Sequence, residues 1–364
     1  MKTSNSKSSS KLKKTMMAAA ISVAATAGFT STANAQIAGH NVLLVHGFQF
    51  GDLASKPSDA EVYNRDLISD FWLDRAEGKL NWSSAERVEG KISEQIFEQA
   101  KAYSAQGLCD DGCVVVLHST GDQVMRHFMA HQESWMTSAG YEPLNIVATI
   151  DFGAAGGGTD FADLAVGAVS SSSVPQWIKS TIGLFLDLDL SASDLSDLGV
   201  VQDLTYSGAR SISMQPNDIP RLRFSGSGGN TNPLKVLLSG YSDGVIPASS
   251  SCGASSPVGI SSCSNNIGYS GERESRNGPD GLLHNHFPVL MSKHYDHGGL
   301  KNDEARGKVT YVYNDFNAGL NVDFSTYTQS IPWWQFWRDT GTFQYVSGSD
   351  SKSMSRVIYE TLDN

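Results

Sequence analysis

The sequence predicts an α/β domain built on a mostly parallel sheet. Three observations predict it. Short apolar runs recur along the chain, at Asn41–Val45, Val114–Leu117 and Asn145–Ile150. These runs are apolar almost throughout, the pattern of strands buried on both faces. Between and after them lie segments of helical spacing and glycine turns, the alternation that builds parallel sheets.

Residues 1–35 are set aside first. Lys2, Lys7, Lys11, Lys13 and Lys14 form a basic region, Met16 to Phe29 is apolar and alanine-rich, and Ala33-Asn34-Ala35 is an A-x-A cleavage site. This is the pattern of a signal peptide cleaved near Ala35. An internal anchor helix is the competing reading, but the run is short for a bilayer. The expected domain is then 36–364, in a secreted or periplasmic protein.

Asn41–Val45 (NVLLV) is expected to be a buried strand stopping at His46-Gly47. The polar stretch Gly51 to Asn64 reads as an extended loop. Val88 to Gln106 has helical spacing. Val114–Leu117 (VVVL) is a second strand, and Gly121 to His131 a helix with Val124, Met125, Phe128 and Met129 on one face. Asn145–Ile150 is a third strand, leading to the glycine-rich Gly153 to Gly158. From about 160 to 215 the pattern changes: Phe161–Val169 and Pro175–Leu190 are amphipathic with Ser-rich connections, as in an inserted lid. Arg221–Ser225 returns to the sheet, and Leu234–Ser239 suits a strand or a helix. Ser249 to Gly281 reads as a long loop. The C-terminal extension, about 305–364, has alternating apolar residues in VTYVYNDF and FQYVS around Trp333, Trp334 and Trp337, and is expected to form an antiparallel hairpin.

The chain has 364 residues, of which 40% are hydrophobic, enough for one large domain with an insertion. The first 35 residues hold five of the 27 Lys and Arg and none of the 38 Asp and Glu, so the rest carries a balance of −16. Phosphate-rich partners would repel such a chain, which argues against nucleic acid and anionic membranes. The four cysteines form two local pairs, Cys109 with Cys113 and Cys252 with Cys263. After export, two short-loop disulfides are expected. Zinc is the alternative at Cys-x3-Cys, without a matching ligand pair nearby.

The chemistry is expected around Val114 to Gly121 (VVVLHSTG). A buried strand runs into Ser119, with Gly121 two residues on and a helix beyond, the context of a nucleophile elbow. Leu117 departs from G-x-S-x-G, and Asp122 stands where a further Gly is common. An ordinary strand-to-helix turn capped by Ser119 or Thr120 is the plainer reading. Val45-His46-Gly47-Phe48 ends the first strand, and its turn suits Phe48 N–H as an oxyanion donor, with Thr120 N–H as the second. Asp243, in Ser242-Asp243-Gly244, suits the orienting acid, or equally an ordinary turn. Both His294 and His297 qualify as the base. His284 and His286 precede the apolar run Phe287–Met291 and fit less well. Four histidines in this stretch also suit a metal, on a loose ligand pattern.

In these motifs the chain resembles the secreted triacylglycerol lipases of bacteria, within the α/β-hydrolase superfamily. The stretches are VLLVHGF, VVVLHSTGDQVMRHFM, ATIDFGAAGGGTDFADL, SDGVIPASSSCGA and Asp296-His297. They span roughly residues 40 to 170 and 220 to 300. The resemblance implies an α/β-hydrolase fold and a serine ester hydrolase with catalytic Ser119, Asp243 and His297, favouring His297 over His294. It also implies Phe48 and Thr120 as the oxyanion hole. Leu117, Asp122, the missing Pro-His-Arg before the lid and the long spacing from Asp243 to His297 depart from the family pattern. The family's calcium site is not carried over, and the Trp-bearing tail has no counterpart.

The implied function is a lipase or esterase working through an acyl-enzyme. No cofactor and no metal are expected. The partners are an ester or lipid substrate and, transiently, a lipid interface, for a monomeric chain. A polyester depolymerase with the aromatic tail as surface binder, and a non-catalytic lipid-binding protein on a hydrolase scaffold, are the alternatives.

Overall fold

A computed structural model describes residues 36–212, 218–231, 233–258, 263, 279–291, 294–301, 310–312, 324–338, 340–349 and 351–362. The proposed signal peptide lies outside them. All belong to one compact unit, Ala35–Asn364.

The elements are β1 (Asn41–Val45), α1 (Phe50–Ser55), α2 (Asp59–Tyr63), α3 (Asp70–Leu73), β2 (Gly78–Lys79), α4 (Ser93–Ala105), β3 (Cys113–His118), α5 (Gly121–Ser138), β4 (Ile146–Phe152), α6 (Asp160–Ser170), α7 (Gln176–Leu186), α8 (Tyr206–Ser211), β5 (Arg221–Ser225), α9 (Ala248–Ser251), β6 (His286–Met291), β7 (Thr310–Val312), β8 (Phe324–Gln329), β9 (Gly341–Val346) and α10 (Met354–Leu362). One sheet has the order β2-β1-β3-β4-β5-β6-β7. Its first six strands run parallel and β7 is antiparallel. This is the mostly parallel, helix-flanked architecture of the α/β-hydrolase fold.

The strands read as continuous apolar runs because both faces are covered, and their side chains part with period two. Val42, Leu44, Val114 and Val116 face one core, which is closed by Phe71 and Trp72 of α3 and by Met354, Val357, Ile358 and Leu362 of α10. Leu43, Val45, Val115 and Leu117 face the other, closed by Ile96 and Ala100 of α4 and by Val124, Met125, Phe128 and Met136 of α5. A slip of one residue would exchange the two sets between the cores.

Between β4 and β5 the chain leaves the sheet. Ala162, Ala165 and Ala168 of α6 pack with Ile182 and Leu186 of α7, Leu198, Val201 and Leu204, as well as with Leu53 of α1 and Ile246. Both cysteine pairs form disulfides, Cys109–Cys113 and Cys252–Cys263.

Three expectations need correction. Gly51 to Asn64 is not an extended loop: it holds α1 and α2. Ser58 and Glu61 form a reciprocal capping box that starts α2. Among the described residues, Thr310–Val312 of VTYVYNDF is not paired with FQYVS as a hairpin. Thr310–Val312 instead adds to the edge at β6, and β9 pairs with β8. Finally, the C-terminal extension also holds a helix, α10, which closes one sheet face together with α3. Trp333, Trp334, Phe336 and Trp337 stand exposed between β8 and β9. Leu234–Ser239 begins as a short 3₁₀ turn, Pro233–Leu237. The loop of 249 to 281 opens with α9, and 259–262 and 264–278 lie outside the described residues. No helix among the described residues is long and apolar enough to cross a membrane.

Candidate active site

Ser119 is the first residue after β3 and has φ 56°, a left-handed backbone that a serine adopts only when its surroundings impose it. Three backbone hydrogen bonds hold it there: Ser119 N–H donates to Phe152 O at 2.9 Å, and Ala155 N–H and Asp122 N–H donate to Ser119 O at 3.0 and 3.2 Å. The bend needs close approach on the side of β1. A Cβ on Gly47 would lie 2.7 Å from the Ser119 Cβ, and one on Gly121 would lie 2.7 Å from the His46 carbonyl. Gly47 and Gly121 therefore supply the room that a G-x-S-x-G pattern places partly at 117. Leu117 points away, into the core beneath α5.

The hydroxyl of Ser119 is 2.9 Å from Nε2 of His297. Nδ1 of the same ring is 2.7 Å from Oδ2 of Asp243. Asp243 is buried and divides its work. Oδ1 accepts from the N–H groups of Val245 at 3.0 Å and Ile246 at 2.8 Å, closing the turn, while Oδ2 faces the histidine. His297 N–H donates to the Asp243 carbonyl at 2.9 Å, so the two loops are tied through main chain as well. Gly153, with φ 54°, lies against this pair. A Cβ there would be 2.8 Å from Asp243 Oδ2 and 3.0 Å from His297 Nδ1.

His118 packs against His297, with ring centroids 4.6 Å apart. Its Nε2 is 2.9 Å from the His297 carbonyl. A carbonyl can only accept, so Nε2 carries the proton. Burial, then the neighbouring His297, hold the His118 pKa well below the usual imidazole value, and the ring is neutral.

His46 governs the other side. Its Nε2 accepts from Trp82 N–H at 3.1 Å, its ring stacks on Trp82, and its Nδ1 donates to the Gly47 carbonyl at 2.7 Å. Gln49 Nε2 donates to the same carbonyl at 3.0 Å. In a trans peptide C=O and N–H point in opposite directions, so fixing the Gly47 oxygen also fixes the N–H of Phe48. Neither Phe48 N–H nor Thr120 N–H donates to an acceptor among the described residues. Burial pushes the His46 pKa down to about 4, which keeps the ring neutral.

Of the other histidines, His294 and His284 are exposed, and His286 is buried at the start of β6. Ser119, His297 and Asp243 are brought together, and Phe48 and Thr120 flank them. His46, Gln49, His118 and Gly153 were missed as supporting residues. Only the His-Gly and Asp-Phe-Gly strand ends hinted at them.

Asp122, the other departure from the elbow pattern, anchors a buried ionic cluster. Its carboxylate meets Arg221 at 3.3 Å and Arg223 at 3.0 Å, and accepts from Gly156 N–H at 2.9 Å. Arg223 reaches Asp151 at 2.9 Å and the carbonyls of Ser250 and Ser251. The cluster joins α5, β4, β5 and the segment after Asp243 directly beneath the site. Burial alone would raise the Asp122 pKa, but the surrounding arginines hold the carboxyl well below its ordinary value.

A cavity of about 450 Å³ opens on Ser119 and His297. Its walls are largely apolar, from Phe48 and Phe50 on one side to Phe161, Phe185, Leu186 and Leu204 of the insertion. Such an arrangement suits attack by a serine hydroxyl on an acyl group that has an apolar chain to bury.

No family model and no curated protein matches the chain. Solved structures do. The mature form of a Bacillus licheniformis lipase is 14% identical, with a TM-score of 0.36 over 59% of this chain and 80% of that one. A Staphylococcus hyicus lipase is 15% identical, with a TM-score of 0.31 over 52% and 67%. The phospholipase PlaB of Legionella pneumophila is 15% identical, with a TM-score of 0.34 over 58% of this chain but only 45% of its own.

Proposed function

We propose that this chain is a secreted serine carboxylic-ester hydrolase of lipase or esterase type, with Ser119 as nucleophile, His297 as general base and Asp243 as its orienting acid. One observation carries the reading: the hydroxyl of Ser119 stands 2.9 Å from an imidazole whose other nitrogen is 2.7 Å from a buried carboxylate. His297 Nε2 takes the hydroxyl proton as Oγ attacks the ester carbonyl. The oxyanion is received by the N–H groups of Phe48 and Thr120. His297 then returns the proton to the leaving alcohol, and water repeats the sequence on the acyl-enzyme. Asp243 keeps the proton on Nδ1, leaving Nε2 free to accept. The helical layer over the cavity acts as the lid, and its apolar inner face receives the acyl chain.

A second reading is favoured by the exposed Trp333, Trp334, Phe336 and Trp337: the same chemistry on a polymeric aliphatic ester, with these rings on its surface. Turnover of a tributyrin emulsion against erosion of a polyester film separates the two.

The test is labelling by a fluorophosphonate together with a chain-length series of p-nitrophenyl esters, on the wild type, Ser119→Ala, His297→Ala and His294→Ala. Labelling and turnover are lost in the first two variants and kept in the third. A wild type that takes no label speaks for a non-catalytic scaffold. Loss of turnover in His294→Ala, with His297→Ala active, overturns the assignment of the base.

A further inference from the structure

Lys301 lines the cavity beside Ser119 and His297. Among the described residues lining that cavity it is the one side chain, imidazoles aside, that can carry a charge. Leu67, Phe161, Phe185 and Val245 line the same cavity and carry no charge.

The position is built. Lys301 ends the short turn Gly299–Lys301 that follows His297. Its carbonyl accepts from Ser69 Oγ at 2.9 Å and from Ser355 Oγ at 3.0 Å, which pins the backbone between α3 and α10. The ammonium itself meets no carboxylate or other acceptor among the described residues. Burial lowers its pKa from the ordinary lysine value, with no neighbouring anion to oppose the shift. A partly desolvated cation that meets no anion among the described residues carries a desolvation cost, which an anionic group bound beside it would offset.

We propose that Lys301 makes this cavity an anion subsite, and that the ester hydrolysed here carries a carboxylate or phosphate group close to the scissile bond. The inference rests on the serine-hydrolase reading above and narrows its substrate. The ammonium offers donors to an anionic oxygen as a compact point charge. The apolar walls strengthen that contact by excluding water.

Two pairs of esters, each differing in the anionic group, test it. p-Nitrophenyl pentanoate against the mono-p-nitrophenyl ester of glutaric acid places the charge on the acyl side. Monobutyrylglycerol against its 3-phosphate places it on the alcohol side. Within at least one pair, the wild type favours the anionic member in kcat/KM. In Lys301→Met that ratio falls by about 10- to 100-fold, the range of a hydrogen bond to a charged group, while Lys301→Arg keeps most of it. Added salt lowers the wild-type ratio and leaves that of Lys301→Met in place. The pair that responds tells whether the anion belongs to acid or alcohol. A wild type that hydrolyses the neutral esters without preference in either pair, or a Lys301→Met ratio equal to the wild-type one, overturns the anion subsite and leaves the hydrolase reading standing. No turnover of any of the four esters and no fluorophosphonate label overturn both.

Discussion

His46 grips the carbonyl of Gly47 from its Nδ1 at 2.7 Å, and through that one peptide it sets the direction of the next N–H. The histidine has no part in proton transfer: it is buried, neutral and stacked on Trp82. In the proposed mechanism its task is to aim the Phe48 donor. Replacing it with alanine leaves the Gly47 peptide held by Gln49 alone. His46→Ala is expected to lower kcat for p-nitrophenyl butyrate about 10- to 100-fold, with KM little changed, since an oxyanion donor acts in the transition state. Gln49→Ala, which removes the weaker grip, has a smaller effect of the same kind. A rise in KM at constant kcat would contradict the assignment.

Gly153 lies against the hydrogen bond between Asp243 and His297, with a positive φ and room for hydrogen only. Gly153→Ala must displace the carboxylate or the ring by several tenths of an ångström. Turnover is then expected to fall about 10-fold or more, short of the roughly 100-fold that a full ångström of misplacement costs. The strain at a positive φ adds roughly 1–3 kcal/mol of destabilisation, seen as a lower unfolding midpoint. Activity within two-fold of wild type would show that the pair has more freedom than its contacts suggest.

Much of this was legible in the sequence. The strands β1, β3 and β4 stand out because a sheet covered on both faces leaves most of their residues apolar on both sides, whereas β5 alternates Arg221 and Arg223 with Leu222 and Phe224. The order of Ser119, Asp243 and His297 follows the order of strands whose ends meet. Helix α2 was missed because polar composition outweighed its capping box, Ser58 to Glu61, although the signal was there. Helix α10 is harder to read because its apolar spacing, Met354, Val357, Ile358 and Leu362, spans only nine residues after a tail whose alternating aromatics signal strands. The partners of Asp122 were not legible at all. Arg221 and Arg223 lie 99 and 101 residues further along the chain, and no local pattern announces a long-range ion pair. The same holds for Lys301, whose meaning depends on what the fold leaves unpaired around it.

Asp122 breaks the small-residue pattern of the elbow and is the negative centre of a cluster otherwise led by arginines. Asp122→Ala leaves Arg126, Arg221 and Arg223 close together in the interior with one fewer anion. Removing one partner of a buried pair typically costs about 3–5 kcal/mol. Asp122→Gly, which restores the more familiar motif, is expected to cost no less. Denaturant unfolding measures this, as a lower midpoint at unchanged slope. A variant as stable as wild type would mean that water or local rearrangement replaces the carboxylate.

Acid should destabilise this protein earlier than its carboxylates alone would dictate. Burial holds the pKa of His46 and that of His127 down at about 4, and those of His118 and His286 well below the ordinary imidazole value. Between roughly pH 6.5 and 4 the unfolded chain takes up protons at these positions and the native fold refuses them, so stability falls as pH falls. For His46 alone the difference is on the order of 3 kcal/mol. Asp151 acts in the opposite sense. Burial, then Asp122, raise its pKa to about 6, so it contributes stability that is lost as pH rises through that value. Burial also raises the pKa values of Glu77 and Asp163, which act in the same sense as Asp151, and these three carboxyls against four more deeply buried or strongly shifted histidines leave the net slope positive with pH. Thermal unfolding is therefore expected to show Tm dropping steadily from pH 7 to pH 5, with a shallower slope in His127→Asn. A Tm that stays level or climbs over that interval would mean that these rings take up protons without unfolding the chain.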